Sequence, residues 1–475
     1  RVKKGDVIGD NRGSCMIEQP IIKKVLKETL INGGELAELF IEDASSTNIV
    51  CEDNKIEQVI SGRDAGAGIR LIYEQRTAYG YTNDINEKSL INLARVVRSA
   101  ANGNGDTAID LTVKKPLVDF PILKPTDKTP TDRKIKKVKI ANETGRNFDG
   151  RIRQVKVMYQ DGRRNILVAN SNGEQAEDDR TGIVFVVHVI ASDGKGIQTG
   201  YESAGGFIGF ELFDEEPSDK IARTAASRAI VILEAEKAPA GEMTVVLSSE
   251  AGGTMIHEAI GHGLEGDFIQ QGLSVYSKRL GEKIASPFIT VVDDSTLPNK
   301  RGSYRFDDEG TPSQRTVLVE DGILKQFMYD RLSAMKSGKY STGNGRRMSY
   351  KYRPIPRMTN TFIASGKMNP AEITESVKKG LFVKKMGGGE VNIVNGDFVF
   401  EVSEGYLIEN GKIKQPIKGA TLTGNGPEVL RQIDMVGSDL GFGIGTCGKD
   451  GQGAPVSDAQ PTLRIPKIVV GGTKI

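Results

Sequence analysis

The hydrophobic and polar positions of the chain follow a helical period in some stretches and a strand period in others. Apolar residues at 17–32 recur every three or four positions, which predicts an amphipathic helix ended by Gly33 and Gly34. The same period predicts helices at 86–101 and 219–237. Elsewhere in the first half, short apolar runs alternate with polar residues, as in antiparallel strands joined by tight turns. These runs lie at 36–42, 47–52, 55–61, 66–73, 76–82, 152–159, 165–171 and 182–192.

Two stretches interrupt this pattern and mark domain boundaries. Residues 102–132 are rich in proline, lysine, threonine and aspartate, which indicates a linker or an extended arm. The turn-forming sequence Ala-Pro-Ala-Gly at 238–241 interrupts the regular elements again, and we place the main domain boundary there. Residues 1–15 show no periodicity and are interpreted as a disordered or foreign extension. We therefore predict an N-terminal domain at 16–238 and a C-terminal domain at 239–475.

The C-terminal domain is predicted to be rich in strands. A strand at 243–248 leads into a helix with an apolar stripe, and glycine-rich turns follow it. One later helix is predicted at 372–380, and hairpin strands are predicted at 289–293, 315–320 and 323–329. The fold class is therefore predicted to be α+β. An N-terminal α/β domain would contain an antiparallel sheet, and a barrel-like, β-rich C-terminal domain would contain the helix after 243–248.

Composition argues against several classes of function. The 64 lysines and arginines nearly cancel the 62 aspartates and glutamates among 475 residues, so no global field draws the chain to nucleic acid or to an anionic membrane. No uninterrupted apolar run approaches the ~18 residues of a membrane-spanning helix, and the first residues lack the apolar core of a signal peptide. We expect a cytoplasmic protein with no membrane partner and no direct contact with nucleic acid.

Histidine and cysteine are scarce, with three of each in the chain. An odd number of cysteines in a reducing compartment leaves thiols free for a metal. Cys15 lies in the extension and has no predicted role, while Cys51 lies in a predicted strand as a small core residue. His188 belongs to the apolar strand IVFVVHVI, where we expect a buried, hydrogen-bonded side chain.

The other two histidines form the strongest functional signal. His257 is followed at once by Glu258 and five positions later by His262, within the sequence HEAIGHGLEGD. Two imidazoles can ligate a divalent ion, and the adjacent carboxylate can take a proton from the water that the ion acidifies. Five residues of a regular α-helix turn by ~500°, which would leave the two side chains roughly 140° apart. We therefore expect a wide, π-type turn, which Gly261 and Gly263 would make less costly.

Cys447 is a candidate for a third metal ligand. It lies between Gly445 and Gly448 in a glycine-rich loop, and such a loop can bend a thiolate towards an ion. The residues alone leave this role open.

Two other segments could contact a substrate. Gly387, Gly388 and Gly389 enter a strand hairpin, where bare backbone suits either pairing with another chain or a tight bend inside a barrel. The segment 346–357 carries five basic residues, which suit either a loop that holds a substrate carboxylate or carbonyl or an ordinary surface loop.

Taken together, these motifs resemble one known family. HEAIGHGLEGD, the GGGEV hairpin, IENGKIKQPIKGATLTGNGPEVLRQI and GTCGKDGQGAPVSDAQPTLRI are similar to the TldD/PmbA metallopeptidases, and specifically to the TldD branch. The resemblance implies a metallopeptidase of the HExxxH type with one divalent metal ion, zinc by its ligand set with iron also open. It also implies that His257, His262 and Cys447 hold the ion and that Glu258 is the general base and acid.

The resemblance further implies a substrate and an assembly. Proteins of this family cut unfolded or extended peptides, including leader peptides and antitoxin proteins, inside a chamber formed by two subunits. The partner would be a second copy or a PmbA/TldE-like subunit that lacks the metal ligands. The alternative is a non-catalytic scaffold or modulator that binds peptides or a toxin or topoisomerase partner. Bound metal without turnover of any unfolded peptide would favour this alternative.

Overall fold

The computed structural model describes residues 17–473, so the predicted extension at 1–15 and Cys15 lie outside the described residues. The first half of the described chain combines long strands with helices that cover the ends of one sheet. Its helices are α1 (Gln19–Leu30), α2 (Glu87–Arg98), α3 (Thr131–Arg146), α4 (Leu212–Glu215) and α5 (Ser218–Glu234). Its strands are β1 (Leu36–Glu52), β2 (Lys55–Tyr73), β3 (Arg76–Thr82), β4 (Thr112–Val113), β5 (Ile152–Asn170), β6 (Glu174–Ser192) and β7 (Ile197–Gly206).

These strands form one sheet in the order β3-β2-β1-β5-β6, with β4 and β7 both paired to β6. The short strands predicted at 36–42 and 47–52 are two parts of the single strand β1, and β2 and β5 each join two predicted strands in the same way. Strand β6 begins at Glu174, before the predicted strand 182–192. Between the two predicted strands of β1, where a turn was expected, Asp43 lies opposite Ala65 of β2 and Asn165 of β5. Hydrogen bonding to neighbours on both sides keeps such polar residues in a central strand.

Two pairs of helices cover the two ends of this sheet. Helices α1 and α2 pack on β1, β2 and β5 through residues such as Leu26 and Leu90. Helices α3 and α5 pack on β5 and β6 through Val138 and Ala225. Sequence analysis missed α3, because its core face consists of few apolar residues among lysines and other polar side chains.

The second half of the described chain is rich in strands and short in helices. Its strands are β8 (Glu236–Lys237), β9 (Gly241–Leu247), β10 (Val291–Asp294), β11 (Arg315–Glu320), β12 (Ile323–Leu324), β13 (Gly345–Arg346), β14 (Ile355–Pro356), β15 (Asn360–Ile363), β16 (Lys379–Val391), β17 (Asp397–Glu409), β18 (Lys412–Lys418), β19 (Thr421–Asn425), β20 (Met435–Val436), β21 (Gly441–Lys449), β22 (Gln452–Gln460) and β23 (Leu463–Gly471). Its α-helices are α6 (Thr254–Ile256), α7 (Gly266–Gln271), α8 (Arg331–Ser337), α9 (Pro370–Glu375) and α10 (Gly426–Gln432).

Five strands of this half close into a barrel in the order β16-β9-β23-β19-β17, and β17 pairs again with β16. The pairing of β9 with β16 is parallel and the other pairings are antiparallel. The largest apolar core of the described residues includes side chains of these strands and of the segment after β9. The predicted fold class is confirmed, with a sheet in the first half that is antiparallel except for the short strand β4, and a barrel in the second half.

A second sheet of this half carries Cys447. Its order is β12-β11-β10-β15-β22-β21, with β15 and β22 parallel. Strands β21 and β22 form a hairpin in which Cys447 lies opposite Ala454. The barrel and this sheet together hold the segment 248–271 between them, because β9 enters that segment and β22 packs against it.

Buried ion pairs join the two halves of the chain. Arg70 of β2 pairs with Glu309, and Arg347 pairs with Glu38 of β1 at 2.5 Å, with every one of these side chains at most 1% exposed. Removing one partner from such a pair leaves a buried charge without compensation. The junction is therefore specified by charge as well as by apolar packing.

Three further predictions can be compared with the structure. Cys51 is a buried core residue, as predicted. The prediction for His188 is wrong: its side chain is exposed and contacts Tyr201, with ring centroids 4.8 Å apart and the ring planes at 57°. Strand β6 is covered tightly on one face only, so an apolar strand still exposes alternate positions. The later helix predicted at 372–380 is α9, but α8 and α10 were missed. Among the described residues, no helix has the length and apolar character needed to cross a bilayer.

Candidate metal centre

The histidine segment is an irregular helix made of short turns. Ser248 caps a 3-10 turn, Ser249–Ala251, by accepting a hydrogen bond from the main-chain N–H of Glu250 at 3.2 Å. Helix α6 follows and passes into a π-helical turn, His257–Gly261, and then into a 3-10 turn, His262–Leu264. The main-chain N–H of His262 donates to the carbonyl of His257, five positions earlier. The wide turn predicted from the histidine spacing is present.

The glycine of this turn is required by packing more than by backbone conformation. Gly261 has ordinary right-handed helical angles, φ −54° and ψ −60°. A Cβ at that position would lie 2.1 Å from Sδ of Met358. The sequence argument expected glycine to make the turn less costly, whereas in the structure its missing side chain leaves room for Met358, in the segment just before β15.

The π turn brings the two imidazoles together and the hairpin of β21 and β22 adds the thiol. The ligand atoms of His257, His262 and Cys447 all lie within 4.8 Å of one another. The two imidazole rings are 5.1 Å apart at an angle of 87°, and Sγ of Cys447 is 3.3 Å from Nε2 of His262. All three residues are buried. The arrangement is compact enough for a single small cation to touch the three atoms.

Carboxylates lie behind both imidazoles. Nδ1 of His262 is 3.0 Å from Oε2 of Glu265, which is fully buried and also accepts a hydrogen bond from Nζ of Lys449 at 3.0 Å. Nδ1 of His257 is 3.8 Å from Oδ2 of Asp458 and has no hydrogen-bond partner within residues 17–473. Such carboxylates orient an imidazole so that its other nitrogen is presented to a metal.

The thiol and the imidazoles form a proton-sharing cluster in this structure. Burial opposes ionisation of Cys447, but hydrogen bonds from His257 and His262 outweigh it and lower the pKa of the thiol to about 5. Burial lowers the pKa of His262, yet Glu265 and the thiolate raise it overall to about 10. The pKa of His257 is also raised, because the thiolate outweighs the effect of burial. Cys447 is therefore a thiolate at neutral pH, which is the form that binds metals.

The donor set fits a borderline-soft divalent ion. Two imidazole nitrogens and one thiolate sulfur are found together at zinc sites, and three protein ligands leave a position open. No other group of three such side chains forms a comparable cluster within the described ranges. The three candidate ligands therefore belong together in space, although Cys447 lies 185 positions from His262.

Glu258 follows the first histidine, and its pKa is shifted in the opposite direction from that of Glu265. Its side chain is half-buried, and burial raises its pKa above the ordinary value, although the two histidines lower it. A carboxylate with a raised pKa next to an open metal position is suited to proton transfer near neutral pH.

The triple glycine lies on strand β16, at a bend of the barrel. Pairing with β17 shifts register between Val383 and Gly389, and a Cβ at Gly389 would lie 1.9 Å from the ring of Phe400. On its other side β16 pairs with β9 only from Gly380 to Val383. Beyond Val383 no strand of the described chain pairs with that edge, and Gly388 and Gly389 are exposed there. The segment thus combines a barrel bend with an exposed strand edge.

The basic segment 346–357 is not a surface loop. Its ends pair as β13 and β14, and Arg346, Arg347 and Arg357 are all buried. Arg357 donates to the main-chain carbonyls of Cys447 and Gln452, so it fixes the hairpin that carries the thiol. Arg357 therefore supports the site from behind.

Sequence analysis missed the side chains that surround the three candidate ligands. Glu265 lies three positions after His262, a spacing that puts both on one face of a helical turn and could have revealed it. Asp458 and Lys449 gave no such signal, because they reach the centre only through the pairing of β22 with β15 and β21.

Comparison with known proteins gives the class of the molecule. Three family models match in order, described as PmbA/TldA metallopeptidase domain 1 at 37–102, central domain at 124–233 and C-terminal domain at 240–472. These matches define the class of the protein as a metallopeptidase. The chain belongs to the PmbA/TldD family, and the resemblance stated from its motifs is confirmed.

Named relatives agree with this assignment. A metalloprotease TldD homolog of Haemophilus influenzae is 38% identical over 449 residues, which cover 92% of this chain and 93% of the relative. A metalloprotease of Methanocaldococcus jannaschii is 35% identical over 443 residues, which cover 92% of this chain and 97% of the relative. Both names support a metal-dependent protease.

Solved structures share the fold. A putative modulator of DNA gyrase from Thermotoga maritima has a TM-score of 0.78 at 21% identity, covering 92% of this chain and 96% of the other. TldE from Thermococcus kodakarensis has a TM-score of 0.75 at 19% identity, covering 95% of this chain and all of the other. At this level of identity the likeness shows the fold alone.

Proposed function

We propose that the chain is the catalytic subunit of a metal-dependent peptidase that hydrolyses unfolded or extended peptides. The observation that carries the proposal is the convergence of two imidazoles and a thiolate from distant parts of the sequence, with Glu258 next to the first imidazole. Family membership supplies the reaction class. The roles of individual residues, the metal and the substrates belong to the proposal.

His257, His262 and Cys447 would hold one divalent ion, and their nitrogen and sulfur atoms suit zinc while also admitting iron. The bound ion would supply Lewis-acid polarisation of the scissile carbonyl and would lower the pKa of water. Glu265 is hydrogen-bonded to Nδ1 of His262, and Nε2 of the same imidazole faces Sγ of Cys447. Asp458 stands nearest to Nδ1 of His257 and would orient that ring in the same way.

Glu258 would carry the proton transfers. It accepts a proton from the attacking water and returns one to the leaving amine nitrogen, so the carboxylate is regenerated in each turnover. Its partial burial raises its pKa towards the range in which both steps are efficient. A carboxylate in bulk water would hold the proton too weakly to deliver it to an amine.

The substrate would bind as an added strand. The edge of β16 beyond Val383 carries unpaired main-chain groups, and β16 packs against the turns that carry His257 and Glu258. Main-chain pairing along Gly387, Gly388 and Gly389 recognises an extended backbone and tolerates many side chains. This mode suits leader peptides and antitoxin-like chains, and it rejects folded proteins, which offer no free strand.

The assembly would be a homodimer or a heterodimer with a PmbA/TldE-like subunit. Because the chain shares its fold with a solved TldE, two such subunits could pair with pseudo-two-fold symmetry. The proposed compartment is the cytoplasm, as predicted from the sequence.

The proposal is tested with Glu258→Gln and His262→Ala, alone and mixed with a PmbA/TldE-like subunit. Metal content is measured by elemental analysis, and cleavage is measured on unfolded casein before and after chelation. We expect Glu258→Gln to keep its metal and lose cleavage, and His262→Ala to lose both. Cleavage by Glu258→Gln would refute the assigned role. Bound metal with no turnover of any unfolded peptide, even with the partner, would favour the scaffold or modulator alternative.

A further inference from the structure

A cavity of about 370 Å³, lined by many charged side chains, lies between the two halves of the chain, and no candidate metal ligand lines it. Its walls come from the middle of the N-terminal sheet and from the segments behind the Cys447 hairpin; they include Ser45, Gly162, Thr181, Arg301, Tyr304 and Pro455. Ser45 and Ser46 are exposed, so the cavity communicates with solvent on the side of the sheet. A volume of this size suits a small polar ligand or the end of a chain.

Charge is not balanced in this cavity. Six arginines line it, together with the four carboxylates of Glu42, Asp64, Asp161 and Asp308. Each of these carboxylates already pairs with a cation, and four of the arginines have a carboxylate within 4.0 Å; these are Arg163, Arg164, Arg180 and Arg347. Within residues 17–473, neither Arg301 nor Arg346 forms an ion pair with a carboxylate.

The hydrogen bonds of these two arginines do not use their full donor capacity. Arg301 donates from Nε to the carbonyl of Gly445 at 3.1 Å and from Nη2 to Oγ1 of Thr446 at 3.2 Å. Arg346 donates from Nη1 to the carbonyl of Met358 at 2.6 Å and from Nη2 to the carbonyl of Pro455 at 2.7 Å. Nη1 of Arg301 has no acceptor in the part of the chain that the structure describes.

The two guanidinium groups also repel one another electrostatically, and this affects the pKa of Arg301. Burial, with the nearby charge of Arg346, lowers the pKa of Arg301 to about 10. Burial lowers the pKa of Arg346 as well, and Asp308 and Tyr304 only partly oppose this effect. Both side chains still carry a positive charge at neutral pH. Arg346 is buried and Arg301 is half-buried, so water screens their mutual repulsion only in part, and an anion between them would offset it.

We propose that this cavity is a binding site for a carboxylate or phosphate group, held by Arg301 and Arg346. The free donor of Arg301 would contact the anion directly, and Arg346 would add charge from its place on the ring of Tyr304. Ser303 and Thr181 line the same space. The main-chain carbonyls account for the positions of the two side chains, and an anion would supply the negative charge that they lack nearby. This inference does not depend on the peptidase activity.

The test compares binding by the metal-loaded full chain and by two variants at constant ionic strength. Arg301→Gln removes the free cation, whereas Arg163→Gln removes a cation of the same cavity that already has Asp127 and Asp179 as partners. Calorimetric titration uses inorganic phosphate in one arm and glutarate in the other, with chloride as the reference salt. We expect saturable binding by the wild type, with Kd of about 1 mM or tighter. Arg301→Gln should weaken it at least about tenfold and Arg163→Gln by less than about threefold.

The two arms identify the source of the anion. Tighter binding of phosphate would assign the site to a phosphorylated ligand, and tighter binding of glutarate would assign it to a carboxylate such as a peptide terminus. Equal binding by wild type and a folded Arg301→Gln variant, or no saturable binding of either anion, would overturn the proposal. As a test that needs no variant, selenate soaked into wild-type crystals should give an anomalous peak between Arg301 and Arg346, and absence of the peak would refute the site.

Discussion

Glu265→Gln is expected to weaken metal binding while the three proposed ligands stay in place. Glu265 is fully buried, and its Oε2 contacts both Nδ1 of His262 and Nζ of Lys449 at 3.0 Å. Burial opposes its charge, but Lys449 and His262 lower its pKa to about 2, so it is ionised at every pH in which the protein would work. Glutamine keeps the shape and one acceptor oxygen but loses the negative charge.

The expected loss of metal affinity follows from the orienting role of such carboxylates. Loss of a group that orients a ligating histidine costs about 10- to 100-fold in metal affinity, which is about 1.4 to 2.7 kcal/mol. The lower end applies if the amide oxygen still accepts from Nδ1. The higher end applies if the amide turns its N–H₂ towards the imidazole, because Lys449 then competes for the oxygen.

The affinity is measured by competition with a chromophoric zinc chelator. Asp267→Asn is the matched control, because Asp267 accepts from the same Lys449 at 2.7 Å without touching an imidazole. We expect this control to change the affinity by less than about threefold. If Glu265→Gln and Asp267→Asn had the same affinity as the wild type, the orienting role of Glu265 would be refuted. If both lost affinity equally, the charge of Lys449 would be responsible instead.

Three further predictions concern the metal centre, the junction between the two halves of the chain, and the barrel. Metal binding at pH 7 should release at least one proton, because Nε2 of His262 (pKa about 10) must lose its proton while Cys447 (pKa about 5) is already ionised. Calorimetry in buffers of different ionisation enthalpy counts the released protons. Below pH 5 more protons should be released, because Cys447 is then protonated before the metal binds. Glu38→Ala should lower the free energy of unfolding by ~3–5 kcal/mol, since buried Arg347 loses its carboxylate, whereas Glu87→Ala, which breaks the exposed pair with Lys24, should cost under ~1 kcal/mol in thermal unfolding. Gly389→Ala should destabilise the barrel by ~1–3 kcal/mol through its contact with Phe400, while Gly388→Ala, with open space at its Cβ, should leave the unfolding midpoint unchanged.

Some of the site could be predicted because the chemistry restricts the backbone. Two histidines five apart can reach one ion only if the helix widens, so His257 and His262 predict the π turn before any coordinates. The position of Cys447 could not be derived in this way. Its approach depends on the register of β21 against β22 and on the parallel pairing of β22 with β15, which no local pattern encodes.

Errors in the predicted fold have a similar cause. The polar residues near Asp43 are typical of turns, but neighbouring strands on both sides keep β1 straight through them. His188 was expected to be buried because its neighbours along the strand are apolar, but burial depends on what covers each face of the sheet. The strands of the N-terminal sheet could be recognised from local pattern, whereas their length and exposure are properties of the whole sheet.

The central claim is that two imidazoles and the Cys447 thiolate hold one ion, and X-ray absorption of the zinc-loaded full chain tests it most directly. We expect one zinc per chain, with one sulfur at about 2.3 Å and nitrogen or oxygen neighbours at about 2.0–2.1 Å. Cys447→Ser should lose the sulfur contribution and keep the lighter neighbours. A spectrum of the wild type without sulfur, or one unchanged in Cys447→Ser, would contradict the proposed centre.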